Sequence, residues 1–350
     1  MKKLVSAKLI LKTGESFVGY IPATQTTEVS GEVIFNTGML GYVESLTDPS
    51  YAGQILCFTY PLIGNYGVST PNTWESNKIQ VKSVIISETA SFYSNHAAQQ
   101  SLVNWLEIEN IPFITGLDTR ALTHCLRVNG VTPGIITSFN KPHGDFIEFE
   151  TIDWVKQVTI TEPMYYGEGR KKIIVVDCGL KENILRCLLK FPLKIKRVPY
   201  DYDYSQEDYD GVFISNGPGD PQLCKKTIAI LRKALTKKKP CFGICLGTQL
   251  MALAVGAKTY KLIFGHRSQN QPCIYLPTKR CYLTSQNHGY AVNEKSLPKD
   301  WQVLFRNLND GTVAGIEHKK DPFFSVQFHP EAAPGPMDTQ WLFERFYRML

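Results

Sequence analysis

Cys245 stands in the run GICLGTQ (243–249), between the apolar stretch PCFGI and the apolar, helix-spaced stretch LGTQLMALAVG. Gly243 and Gly247 flank it two residues away on either side. A strand that turns at once into a helix, with glycines permitting close approach, lifts the central side chain above the sheet edge as a nucleophile elbow does. At a helix N-terminus the dipole favours a thiolate, and free backbone N–H groups face a developing oxyanion. The plain alternative is a buried structural cysteine. A redox pair with Cys241 is disfavoured, because residues four apart in a strand lie roughly 13 Å from each other.

A thiol nucleophile needs a base. Of seven histidines, His329 in FSVQFHPEA follows an apolar strand at its expected C-terminal end, where open α/β sheets carry their sites. Glu331 lies two residues on. In an extended segment both side chains point the same way, so the carboxylate would fix the imidazole tautomer. Pro330 would help end the strand. Taken alone, His-Pro-Glu reads better as a surface turn. Beside the elbow it completes a triad.

Other polar segments are more ambiguous. SNGPGDP (215–221) follows a strand but lacks both the Lys-Ser/Thr of a P-loop and the spacing of a dinucleotide fingerprint. It reads as a plain turn, a phosphate cradle, or a loop offering the Gly217 N–H to the site. QNHGYAV (286–292) reads as a polar turn between strands, with Asn287 and His288 as possible ligand contacts. GHRSQNQP (265–272) is similar. No Cys/His cluster has zinc spacing.

The elements needed to position these residues follow from the pattern. The chain has 350 residues, 43% hydrophobic and 20% charged, enough for two domains. Residues 1–150 hold short β-type runs (SAKLILK, GEVIFNT, GQILCFTY, KSVIIS) with helices expected over 97–109 and from Asp118 to about Val128. Residues 151–172 lack periodicity and are expected to be a linker. From 173 to 350 strands alternate with helices: IIVVDC, KENILRCLLKF, KIKRVPY, GVFISN, a helix over 221–236, PCFGI and LGTQLMALAVG. That alternation predicts an α/β domain with a mostly parallel sheet flanked by helices, behind a separate β-rich N-terminal domain. The chain closes on an amphipathic helix, MDTQWLFERFYRML.

The net charge of +6 is spread thinly, with no basic run longer than three residues, which argues against a nucleic-acid partner. Nine cysteines without a secretory start point to a reducing compartment. No apolar run approaches the roughly 18–20 residues that span a bilayer, so no membrane partner is expected. The N-terminal stretch reads as a strand, without a signal or transit peptide.

Together the strand, N-G-P-G-D-P, G-I-C-L-G-x-Q, Q-N-H-G-Y-A-V and H-P-E resemble the class I, triad-type glutamine amidotransferases. GEVIFNTGMLGYVESLTDPSYAGQILCFTYPLIGNYGV, DCGLKENILR and HPEAAPGPMDTQWLFERF narrow the resemblance to the family of carbamoyl phosphate synthase small subunits. The resemblance covers essentially the whole chain. It implies that Cys245 attacks the side-chain amide of L-glutamine, that His329 transfers the proton and that Glu331 orients His329. It implies an oxyanion hole from the N–H groups of Gly217 and Leu246. It also implies glutamine contacts from Ser50, Gly219, Gln249, Asn287, Gly289 and Tyr290, with Ser50 supplied by the N-terminal domain. A large synthetase subunit would be the partner and would hold ATP and Mg, leaving this chain without a cofactor. Ammonia would reach that partner through a tunnel, and carbamoyl phosphate would feed arginine and pyrimidine synthesis in a cytoplasm or a chloroplast stroma. Two positions depart from the family: Thr248 where His is frequent, and Ser268 where a G-H-x-G pattern has its second Gly. Two other functions remain open on sequence: an amidotransferase subunit serving a different acceptor, and a non-catalytic regulatory subunit.

Overall fold

In the computed structural model, residues 3–139 and 141–350 are described, and the chain divides into two compact units between Ile152 and Asp153. In the first unit, strands close into a barrel in the order Leu4–Leu11, Ser16–Pro22, Phe113–Thr115, Ser83–Ile86, Gln54–Phe58, Val29–Asn36 and Thr132–Thr137. Closure comes from antiparallel pairing of the first and last of these, with Leu9 opposite Ile136. Strand side chains alternate between faces. Val33, Ile55 and Ile85 therefore take one face and are fully buried. Ile34, Leu56, Val84 and Ile86 take the other and pack with Trp105 and Leu106 of the helix Leu102–Ile108. That helix begins later than its apolar spacing suggests, because the Ser101 side chain caps it by accepting from Asn104 N at 3.2 Å. The helix Thr119–Asn129 is capped as expected, Asp118 accepting from Ala121 N at 2.9 Å.

In the second unit a ten-stranded sheet of described residues runs Met164–Tyr166, Leu193–Pro199, Lys171–Asp177, Gly211–Ile214, Cys241–Ile244, Phe323–Val326, Val313–His318, Trp301–Asn307, Thr259–Tyr275, Arg280–Val292. The strands from Leu193–Pro199 to Phe323–Val326 are mutually parallel. Those from Val313–His318 onward pair antiparallel, so the parallel part is a core carrying a broad antiparallel extension. The continuous apolar runs reflect burial on both faces. Val176, Val212, Ile214 and Val198 pack with Leu231 of the helix Lys225–Thr236 and Leu250 of the helix Leu246–Ala254. Val175, Phe213, Phe242 and Phe324 pack with Ile184 of the helix Glu182–Leu188 and Phe343 and Phe346 of the helix Trp341–Met349. Phe242 and Phe324 stack with ring centroids 4.3 Å apart. Losing such a buried ring costs about 3–5 kcal/mol.

Three expectations are corrected. The stretch 151–172 is not a free linker: it contains a helical turn, Val155–Val158, and the edge strand Met164–Tyr166, which pairs with Leu193–Pro199. The pairing needs only three residues, too few to show a period. QNHGYAV and GHRSQNQP are not turns either. Both lie inside long paired strands, with Arg267 opposite Asn287 and Ser268 opposite Gln286. The side chains of His266, Gln286 and His288 are buried and hydrogen-bond one another, in segments whose composition mimics turns.

Candidate active site

The site grows from the C-terminal edge of the parallel core. The strand Cys241–Ile244 turns at Cys245 into the helix Leu246–Ala254. Cys245 has φ 54° and ψ −105°, a strained backbone for any residue with a Cβ, costing on the order of 1–3 kcal/mol. Its neighbours hold it there. Cys245 N donates to Val326 O at 2.8 Å, and Thr248 N donates to Cys245 O at 3.0 Å. Strand and helix touch so closely that a Cβ on Gly243 would lie 2.7 Å from the backbone of Gly247. The thiol is buried, and its Sγ lies 3.5 Å from the Asn287 carbonyl oxygen and 3.7 Å from Gln327 Nε2.

His329 follows the strand Phe323–Val326 and is tied to the antiparallel extension by donating its N–H to Ser285 O at 2.9 Å. The contact with Glu331 is made in a turn rather than an extended segment: Ala332 N donates to His329 O, and Pro330 has no N–H to continue a ladder. His329 Nδ1 lies 2.6 Å from Glu331 Oε1, while Nε2 makes no hydrogen bond of ordinary length. Burial pulls the imidazole pKa down, but the Glu331 carboxylate and then the Cys245 sulfur raise it, and the balance puts it up at about 10. For Glu331 burial acts upward, yet Lys181 and then His329 bring its pKa down to about 2.

Lys181 was not evident from the sequence. Its Nζ lies 3.0 Å from Glu331 Oε1 and donates to Ala332 O at 2.7 Å, with both charged side chains almost wholly buried. It sits in the first loop past the strand Lys171–Asp177, and Asp177 shapes that loop by accepting from Gly179 N and Leu180 N at 2.8 Å each. Its position beyond a parallel strand was the available signal. Composition cannot tell a buried lysine from the many exposed ones. Gln327 was also missed: its Oε1 accepts from Gln249 Nε2 at 3.2 Å.

Of the other residues expected in the site, Asn287 touches Cys245 through its carbonyl and Gln249 reaches it through Gln327. Gly217 lies beside Leu246, and a Cβ there would collide with the Cys178 carbonyl, so only glycine fits. Gly219 has φ 82° and faces the Trp154 ring. Gln249 donates to Tyr290 O at 2.9 Å. Asn287, Gly289 and Tyr290 lie on the strand Arg280–Val292, with Gly289 next to Arg267. Ser50 belongs to the first unit, in the turn Pro49–Tyr51, where its N–H donates to Asp48 Oδ1 at 2.8 Å. Thr248 is fully buried, with its Oγ1 unpaired. Ser268 Oγ accepts from Gln271 Nε2 at 2.7 Å, a bond glycine would not make.

Among the described residues no group of three or more His, Cys, Asp and Glu is placed to hold a metal, all nine cysteines are free, and no helix is long and apolar enough to cross a membrane. A thiol at a helix N-terminus, an imidazole held protonated and a buried carboxylate oriented by a lysine can together perform acyl transfer.

The family described as glutamine amidotransferase class-I matches residues 174–349, and that described as carbamoyl-phosphate synthase small chain, CPSase domain, matches 9–136. The carbamoyl phosphate synthase arginine-specific small chain of Candida albicans is 45% identical over 99% of this chain and 85% of its own. Multifunctional protein pyr1-3 of Dictyostelium discoideum is 46% identical and multifunctional protein CAD of Squalus acanthias 47%, each over 97% of this chain. The chain spans only 16% of the length of each of those two. It belongs to the carbamoyl phosphate synthase small-chain family, its second unit being a class I glutamine amidotransferase domain.

Proposed function

We propose that this chain hydrolyses L-glutamine and supplies the ammonia to a carbamoyl phosphate synthase large subunit. The observation that carries the reading is the buried Cys245–His329–Glu331 group with Lys181 behind it. Cys245, its thiol proton transferred to His329, attacks the side-chain amide carbon of glutamine through Sγ. The oxyanion is met by the N–H groups of Gly217 and Leu246. His329, protonated and oriented by Glu331, gives its proton to the leaving nitrogen, and ammonia departs to leave a glutamyl thioester. The same imidazole then takes a proton from water, which attacks the thioester, and glutamate and the thiol are regenerated. Gly219, Gln249, Asn287, Gly289 and Tyr290 hold the substrate.

The chain needs no cofactor of its own. ATP, Mg²⁺ and bicarbonate belong to the large subunit, which ammonia reaches through a protein tunnel that keeps it from solvent protonation. The product serves arginine and pyrimidine synthesis, in the cytoplasm or in a chloroplast stroma.

The test is alkylation by the electrophilic glutamine analogue 6-diazo-5-oxonorleucine, mapped by peptide mass spectrometry. A single adduct on Cys245, blocked by glutamine, is expected, with the other eight cysteines as internal controls. Labelling spread over several thiols, or unaffected by glutamine, would remove the reading.

A further inference from the structure

Beneath the strand that carries Asn287, Gly289 and Tyr290 lies a buried polar chain that the reaction does not use. His266 Nε2 lies 2.8 Å from Asp310 Oδ2, and His266 Nδ1 lies 3.1 Å from Gln286 Oε1. The same Gln286 atom lies 2.9 Å from His288 Nε2, and His288 Nδ1 lies 2.8 Å from Tyr290 O. His266, Gln286 and His288 are all buried, and the two imidazole centroids are 4.9 Å apart. The Asp310 side chain is 38% exposed.

The donor count settles the protons. A carboxylate and a backbone carbonyl only accept, so His266 Nε2 and His288 Nδ1 each carry hydrogen. The two remaining nitrogens face one Gln286 atom. With an oxygen there, both imidazoles would have to be cations, buried against each other and beside Arg267, an arrangement that burial and like charge both oppose. The two orientations of a side-chain amide have the same shape. Turned over, the amide presents its NH₂ and donates one hydrogen to each neutral ring. Its oxygen then accepts from the Cys273 thiol at 3.3 Å, while the Thr284 hydroxyl keeps its hydrogen on Gln271 O at 2.8 Å. Asn307 Nδ2, a donor 3.5 Å from His266 Nδ1, also calls for a lone pair on that nitrogen. Burial first, and the Arg267 charge with it, hold the His288 pKa well below its ordinary value.

We propose that Asp310 and His266 are positioning residues for the glutamine site: through the turned-over Gln286 amide they hold His288 as a neutral Nδ1–H imidazole. That N–H fixes the Tyr290 carbonyl on which Gln249 is also bound. The proposal rests on the glutamine-hydrolysing reading above and adds residues distant from the reacting atoms.

The test uses the full chain, with Asp310→Ala and Asp310→Asn. In the first, His266 loses its acceptor and its tautomer is released. In the second, the amide oxygen still accepts. Saturation of 6-diazo-5-oxonorleucine labelling at Cys245 gives KI and kinact separately. Asp310→Ala is expected to raise KI roughly 3- to 30-fold while kinact stays within about twofold, and Asp310→Asn is expected to restore KI. Histidine-¹⁵N spectra of the wild type at neutral pH should show His288 as the neutral Nδ1–H tautomer and His266 as the neutral Nε2–H tautomer. A doubly protonated His288, an unchanged KI in Asp310→Ala, or an equal loss in both variants would overturn the proposal. If the wild type does not label at Cys245, the glutamine reading fails on its own, and the tautomers still decide whether this arrangement exists.

Discussion

His329 and His288 are both buried imidazoles of one sheet, yet the fold drives them to opposite charge states. At the edge of the parallel core, Glu331 outweighs burial and His329 holds its proton to about pH 10. In the antiparallel extension, burial and the Arg267 charge act together and His288 stays neutral. Burial alone does not decide protonation. The sign of the nearest charge does, and each half of the sheet supplies a different one. The linkage to stability is opposite as well. The contribution of His329 is complete below its unfolded pKa near 6.5 and is lost as pH rises through about 10. His288, depressed in the fold, leaves stability intact above about 6.5 and removes it as pH falls below that value.

The contrast can be broken most directly at the nucleophile. Cys245→Ala should reduce glutamine hydrolysis by about 10⁴-fold or more, measured as ammonia release; residual turnover near wild type would mean that the parallel edge is not the reacting half. Next comes the charge behind it. Lys181→Met leaves Glu331 buried with only His329 for a partner, and urea unfolding should show a loss of about 3–5 kcal/mol. In the other half, Gln286→Leu strips the donor from two neutral rings and should cost about 1–3 kcal/mol in the same assay. A larger loss for Gln286→Leu than for Lys181→Met would reverse the ranking of the two halves. The smallest effect is titration: the turnover rate should fall about tenfold per pH unit above pH 10, as His329 loses the proton that ammonia needs. A rate unchanged through that range would separate His329 from the proton transfer.

The parallel half was legible in the sequence because its strands are buried on both faces by apolar residues, as in Ile173–Val176, and because the elbow glycines have a single steric purpose. Cys245, His329 and Glu331 could be read from residue type and the ends of those strands. In the antiparallel half, two strand segments were misread as turns. Gln286, His288 and His266 have the composition of turns, and only their mutual hydrogen bonds, His266 to Gln286 across strands, reveal them as interior. Lys181 was hidden for a related reason: its partner lies 150 residues away in sequence, and local pattern carries no trace of that pairing.

The backbone at Cys245 has a consequence for anyone seeking a sturdier protein. Its φ of 54° and ψ of −105° suit a residue without a Cβ. Glycine at 245 would relax the turn and lower the free energy of the fold while deleting the thiol, whereas alanine would keep the strain and lose the chemistry too. A screen that rewards heat resistance alone would therefore drift toward glycine at this position, and the most durable variants it returned would be the ones unable to react.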